Sequence, residues 1–188
     1  MKISCFGIYT TMTLEEIIKK SKKGDIIAQR LLFERTCDQL KSVALRYVLD
    51  DGTAEDVLQE AYIRIYKSIS KFNYINDAAT AGWMKQITAM EAIRIIKKTK
   101  KWQAPTSVTQ SPEQAIDSLA FADELYNVLL LLPTRQRVVF NMYALEGYSH
   151  KEISAKLDIA ESSSRSILSR ARSFLQLQLT KSDTYART

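Results

Sequence analysis

Cysteine and histidine are nearly missing from this chain, which has two cysteines, Cys5 and Cys37, and one histidine, His150, among 188 residues. So small a supply excludes a disulfide framework and a zinc site. It also points to a reducing compartment, the cytoplasm. No metal or other cofactor is expected. Glycine and proline are scarce as well, at 5 and 3 residues, so few breakers interrupt the chain. No stretch alternates apolar and polar residues for long enough to argue for a sheet. No apolar run is long enough to span a bilayer, and the opening MKISCFGIYTTM is too short for a secretory signal with a cleavage site. No membrane insertion is expected. MTLEEIIKK from Met12 reads as a natural start, since the first eleven residues show no period.

What is present is a soluble, helix-forming composition. With 46% hydrophobic and 26% charged residues, the chain can bury one ordinary core or two small ones. The 27 Lys and Arg against 21 Asp and Glu give a net charge of +6, which favours a polyanionic partner without proving one.

Helical patterns fill the chain. Thr13 opens a first helix, LEEIIKKSKK, and Gly24-Asp25 reads as a stop followed by a cap for a second helix from about Ile26 to Leu49. DDGTAED breaks it, and Thr53 is expected to cap a third, AEDVLQEAYIRIYKSISKF, with Asp56 near N3 as an imperfect capping box. A polar loop, NYINDAAT, precedes a fourth helix from Ala81 to about Lys101. Residues 104–118, APTSVTQSPEQAIDS, hold two of the three prolines and no apolar period, the composition of a linker. Beyond it, LAFADELYNVLLLL reads as a helix stopped before Pro133, and TRQRVVFNMYALE as another ended by Gly147. The expected fold is all-α: two small helical domains, 13–103 and 119–180, joined by a flexible linker.

The C-terminal domain contains a helix-turn-helix pattern. Ser149 and Glu152 form a capping box, S-H-K-E, opening the short helix HKEISAKL; the turn DIA leads into ESSSRSILSRARSFL. At about 100° per residue, Ile167, Leu168, Ala171, Phe174 and Leu175 gather on one face, with Ser164 among them. Ser162, Arg165, Ser166, Ser169 and Ser173 fall opposite, with Arg170 and Arg172 on the flanks. Short hydroxyls where a helix meets base edges, and cations where it meets phosphates, suit a helix entering the major groove. The alternative for the helix by itself is a solvated surface helix, and the two weigh equally there. The capped helix and tight turn before it favour DNA.

These stretches resemble a family. LYNVLLLLPTRQRVVFNMYALEGYSHKEISAKLDIAESSSRSILSRARSFL is similar to the fourth region of the extracytoplasmic-function sigma factors, with its L-P-x-x-x-R-x-V-F, E-G-x-S-x-x-E-I-A and S-R-A-R elements. KKGD, TAEDVLQEAYIRIYKSISKF and GWMKQITAMEAIRIIKK resemble the second region. The resemblance implies a promoter-specificity subunit of bacterial RNA polymerase with no catalytic chemistry of its own, whose partners are core RNA polymerase, promoter DNA and an anti-sigma factor.

By the same resemblance, region 2 spans 13–103 and region 4 spans 119–180. The outer face of the third helix, with Asp56, Gln59, Glu60 and Arg64, would dock on the polymerase. Val57, Leu58, Ala61, Ile65 and Ile69 make its core stripe. By physics alone that outer face is an ordinary solvated surface. The resemblance gives the loop after it, with Asn73, Tyr74, Asn76 and Asp77, the minus-ten element as single-stranded DNA. Amide, ring and carboxylate groups suit an unstacked base, and the basic run with Lys85, Lys97, Lys98 and Lys101 suits the backbone. Ser162, Ser163, Arg165, Ser166, Ser169, Arg170 and Arg172 would meet the minus thirty-five element. Trp83, which begins an apolar pattern, reads as a core anchor.

The chain departs from the family pattern at several positions. The Asn and Asp that usually follow the Trp are Met90 and Arg94, the turn glycine is Asp158, and the serine cap before the recognition helix is Ala160, so that Glu161 or Ser162 is expected to cap instead. Where the family commonly carries Val and Arg, Ser164 and Ile167 stand; an inward Ser164 is expected to tolerate Val or Ala with little effect on DNA choice. Two other classes compete. One is a stand-alone helix-turn-helix regulator, against which AEDVLQEAY argues. The other is a metal-dependent nucleic-acid enzyme using Asp50, Asp51, Glu55 and Asp56, acidic residues that helix capping and the macrodipole already explain.

Overall fold

Thr13 begins the first helix of the described residues with a cap that satisfies two free amides at once. Its Oγ1 accepts from Glu16 N, and Glu16 Oε2 accepts from Thr13 N at 2.9 Å, a reciprocal capping box. Helix α1 (Leu14–Ser21) follows. In this computed structural model the residues described are 12–99, 102, 129 and 131–185, with side chains to 178. Gly24, at φ +81°, turns the chain, and Asp25 Oδ1 then accepts from Ile27 N and Ala28 N to start α2 (Ile26–Val48), as expected of an acidic cap.

Leu49 breaks α2 by adopting a left-handed φ of 70°, an uncommon conformation for a side chain of this size. Helix α3 (Asp51–Ser68) then starts two residues before the expected cap, so Thr53 lies inside its first turn. Lys41 supplies the reason: its Nζ meets Asp51 Oδ1 at 2.9 Å and Glu55 Oε1 at 3.2 Å, pinning the start of α3 to α2. The 3₁₀ turn Ile69–Lys71 ends this segment. Helix α4 (Asp77–Lys98) begins four residues earlier than expected, because Asn76 caps it: Asn76 Oδ1 accepts from Ala79 N at 2.8 Å. The loop therefore shrinks, and Lys101 lies outside the described residues, as does 104–118.

In the second half, α5 (Thr134–Phe140) passes into a π turn (Asn141–Leu145) where Glu146 N reaches Asn141 O at 3.0 Å, and Gly147 at φ +75° stops it. The expected single helix thus ends in a wider turn, a form that recurs at functional sites. Helix α6 (His150–Leu157) and helix α7 (Glu161–Tyr185) follow. Among the described residues there is no strand.

The chain divides into two units. One takes in the chain to Ala44 with Asp51–Ala92; the other takes in Leu45–Asp50 and the chain from Ile93. In the first, Ile17, Ile18, Leu32, Leu40, Ile65 and Met84 are fully buried in one cluster. Truncating such a residue to Ala costs about 2–5 kcal/mol. Trp83 packs against this cluster, stacked on Phe72 at 4.1 Å between centroids, the anchoring role expected of it. In the second, Leu129, Leu132, Ala171 and Leu175 cluster with Phe140 and Phe174 packed against them, so that α5 lies on the inner face of α7. Arg137 is buried there and its guanidinium donates to the Leu132 carbonyl at 2.9 Å.

Candidate DNA-reading and docking surfaces

The helix-turn-helix is set by two local devices. Ser149 Oγ accepts from Glu152 N while Glu152 Oε2 accepts from Ser149 N at 2.8 Å, so both halves of the expected capping box open α6. These bonds from Ser149 hold the Glu152 carboxyl below its ordinary range. At the other end Asp158 takes φ 57° and ψ 55°, the left-handed conformation that Asp tolerates better than most residues. Ser154 closes the turn, its Oγ donating to the Ile159 carbonyl at 2.6 Å. Helix α7 starts at Glu161, with Ser164 N donating to Ala160 O. Ala160 thus keeps the cap position without a side-chain acceptor. The expectation that Glu161 or Ser162 would cap is corrected, since both stand inside the first turn.

The faces of α7 fall as its periodicity dictates. Ser164, Leu168, Ala171 and Leu175 are buried, and Ile167 and Phe174 are half-buried. Ser162, Arg165, Ser166, Ser169, Arg170 and Arg172 are exposed; Ser163 is half-buried. Arg165 pairs with Glu161 one turn back. Ser166 Oγ donates to the Ser163 carbonyl at 3.0 Å.

Ser164 does not sit in a purely apolar contact. Its hydroxyl, wholly buried, meets His150 Nδ1 at 3.0 Å. The His150 ring stacks on Tyr143 with centroids 4.6 Å apart, and the Arg172 guanidinium lies 5.4 Å from the Tyr143 centroid. Burial, then Arg165, holds the His150 imidazole below its ordinary pKa. The expectation that Ser164 tolerates an apolar replacement did not foresee this partner.

In the first unit, Asp56, Gln59, Glu60 and Arg64 are all exposed on α3, with Lys67 beside them, and Val57, Leu58, Ala61 and Ile65 face inward. Arg64 Nε is paired with the carboxylate of Glu91 on α4, which is 2% exposed. Sequence reasoning missed Ile63, 46% exposed within the same outer face. Its place in the 3.6-residue period between Glu60 and Lys67 was the available signal.

The expected minus-ten residues are brought together in part. Asn73, Asn76 and Asp77 are exposed and Tyr74 half-buried. Tyr74 OH donates to Asp77 Oδ1 at 2.6 Å, which with burial pushes the phenol up to about 12. Asn76 is engaged as the cap of α4. Ile75, unmentioned by sequence reasoning, is 75% exposed between them. Lys85 is half-buried in this unit, while Lys97 and Lys98, both exposed, fall in the second unit. Of the carboxylates weighed for a metal enzyme, Asp51 and Glu55 share the Lys41 ammonium. Among the described residues, no group of three or more His, Cys, Asp or Glu stands close enough to hold a metal ion, and no helix is long and apolar enough to cross a membrane.

The sigma-70 region 2 family model matches residues 32–102, and the sigma-70 region 4 model matches residues 122–175. The chain belongs to the sigma-70 family. Within it, this sigma factor is similar to the ECF RNA polymerase sigma factor SigW of Bacillus subtilis (strain 168), at 27% identity over 184 residues, 89% of this chain and 97% of that protein. It is similar also to the ECF RNA polymerase sigma-E factor of Escherichia coli (strain K12), at 25% identity over 177 residues, 86% of this chain and 91% of that protein. The solved structure of CnrH in complex with the cytosolic domain of CnrY has the same fold, with a TM-score of 0.50, 18% identity, and coverage of 88% of this chain and 96% of that one.

Proposed function

We propose that this sigma factor binds core RNA polymerase and directs promoter-specific initiation. Residues 13–103 dock on the polymerase through Asp56, Gln59, Glu60 and Arg64 and read the minus-ten element with the segment around Asn73, Tyr74, Asn76 and Asp77. Residues 119–180 read the minus thirty-five element with the exposed face of α7, Ser162 to Arg172. The observation that carries the reading is the pairing in one chain of two sigma modules, in family order, with a capped helix-turn-helix whose outer face is serine and arginine. Each module offers too little surface for tight duplex binding alone. Recognition is therefore expected to depend on polymerase.

Because the docking surface and the minus thirty-five reading face lie in separate modules, an anti-sigma segment that covers both at once silences the protein. The test is transcription from a randomised promoter library with purified core polymerase. Transcripts that depend on this chain and share two spaced elements are expected. Tight, sequence-specific binding by the chain alone in physiological salt, without polymerase-dependent transcription, would instead identify a stand-alone regulator. A co-purified inhibitor that touched one module and left polymerase binding intact would overturn the inhibitory arrangement.

A further inference from the structure

The position of α7 that faces α6 is built around a polar bond. Ser164 is wholly buried, and a buried hydroxyl is destabilising unless it is hydrogen-bonded. His150 Nδ1 provides the bond at 3.0 Å. The histidine is itself well placed to hold a neighbour: it is the first residue of α6, next to Ser149, whose backbone the capping box fixes. Apolar contacts at Leu168, Ala171 and Leu175 press α7 onto its module, but the burial that drives them has no direction of its own. A hydrogen bond does have one.

We propose that His150 and Ser164 act together as positioning residues that set the rotation of α7, and with it the angle at which Arg165, Ser166 and Ser169 meet the minus thirty-five bases. The same histidine extends the arrangement to Arg172, since it stacks on Tyr143, over whose ring the Arg172 guanidinium lies. The π turn that ends at Leu145 is what carries Tyr143 to this place. The proposal rests on the reading of α7 as the minus thirty-five helix and adds to it two residues that act through the helix.

The test is transcription with core polymerase across a library randomised at the minus thirty-five element, with the minus-ten element fixed. His150→Ala and Ser164→Val should each redistribute the sequences used, by about three- to tenfold for individual sequences, and the double variant should shift the profile no further than either single one. His150→Asn, which offers a hydrogen-bonding atom near the place of Nδ1, should restore the wild-type ranking. Core polymerase affinity should not change. Ser164→Ala repeats the comparison with a smaller side chain, and thermal melts of each variant confirm the fold. A ranking of sequences left unchanged, with all of them reduced alike, or single shifts that multiply in the double variant, would overturn the proposal. Failure of the wild-type chain to program polymerase at all would overturn the underlying reading too. A sharp wild-type preference that every variant shares overturns this inference alone.

Discussion

Arg64 combines a structural ion pair with a proposed docking role, and one substitution confounds the two. Its side chain is 54% exposed on the face assigned to polymerase docking, yet its Nε pairs with Glu91, which is 2% exposed. Exposed ion pairs contribute about 0–1 kcal/mol, and removing one member of a buried pair costs about 3–5 kcal/mol. With one partner in each regime, Arg64→Ala should destabilise the first unit by about 1–3 kcal/mol, because a buried carboxylate loses a cation. Glu91→Gln removes the buried charge, so the double variant Arg64→Ala/Glu91→Gln should recover most of that loss. Urea unfolding reads the stability, and fluorescence competition for core polymerase, at a temperature where every variant is folded, reads the docking. If Arg64 contacts polymerase, the double variant regains its urea midpoint and not its affinity. Arg64→Ala unfolding at the wild-type midpoint would refute the energetic argument. Recovery of affinity together with stability would show that Arg64 is a strut for α4 rather than a contact.

On α7, Arg165→Ala or Ser166→Ala should change which minus thirty-five sequences are used, by about 1–3 kcal/mol for a good base contact. Arg172→Ala should weaken all promoters alike and lower the salt slope by about one; transcription across a library at two salt concentrations separates them, and equal uniform losses would place the helix at another angle. Ser149→Ala removes the acceptor for Glu152 N and the donor to Glu152 Oε2, and should cost about 1 kcal/mol in thermal unfolding. Burial and Arg165 favour neutral His150 against the opposing pull of Glu161, with Arg172 adding to the depression. With the folded pKa below the unfolded one, the unfolded chain binds more protons between the two. Stability is then full above the ordinary imidazole pKa and falls as pH drops through the depressed one. Melts of wild type and His150→Asn over that window should diverge in this sense, and parallel curves would contradict it.

Periodicity and capping carried most of the fold. The buried faces of α3 and α7 follow from a 3.6-residue count, and S-H-K-E announced α6 with both of its bonds. What escaped was decided by partners distant in sequence or by backbone states with no residue signature. The start of α3 depends on Lys41, ten residues before Asp51, and on a left-handed Leu49 that leucine seldom adopts. The π turn has the same apolar spacing as the helix it widens, so no pattern distinguishes the two. The Asn76 cap was legible, because an asparagine just before a run of Asp and Ala is a start signal, and the loop reading passed over it. Within the candidate site, the inward Ser164 already posed the problem of a buried hydroxyl. Its solution, the chain's one histidine fourteen residues earlier, required the turn to be folded.

The serines of α7 serve two ends, and the structure separates them. Ser164 faces inward and orders the helix, whereas Ser162, Ser166 and Ser169 face outward and keep it slender. Slenderness has a cost in helix propensity, since hydroxyls compete for backbone groups, and Ser166 shows the competition directly by donating to the Ser163 carbonyl. That bond and the Glu161–Arg165 pair hold the outward groups in defined places before any ligand arrives. Both are weak: an exposed i,i+4 pair stabilises a helix by a few tenths of a kcal/mol, roughly 0.2–0.5. A guanidinium released from Glu161 at so small a cost can be recaptured by a base edge or a phosphate whose charge-assisted bonds are stronger. On the proposed reading, the outward face is set in rotation by a buried bond that lies away from DNA, and in its side chains by surface bonds weak enough for DNA to replace.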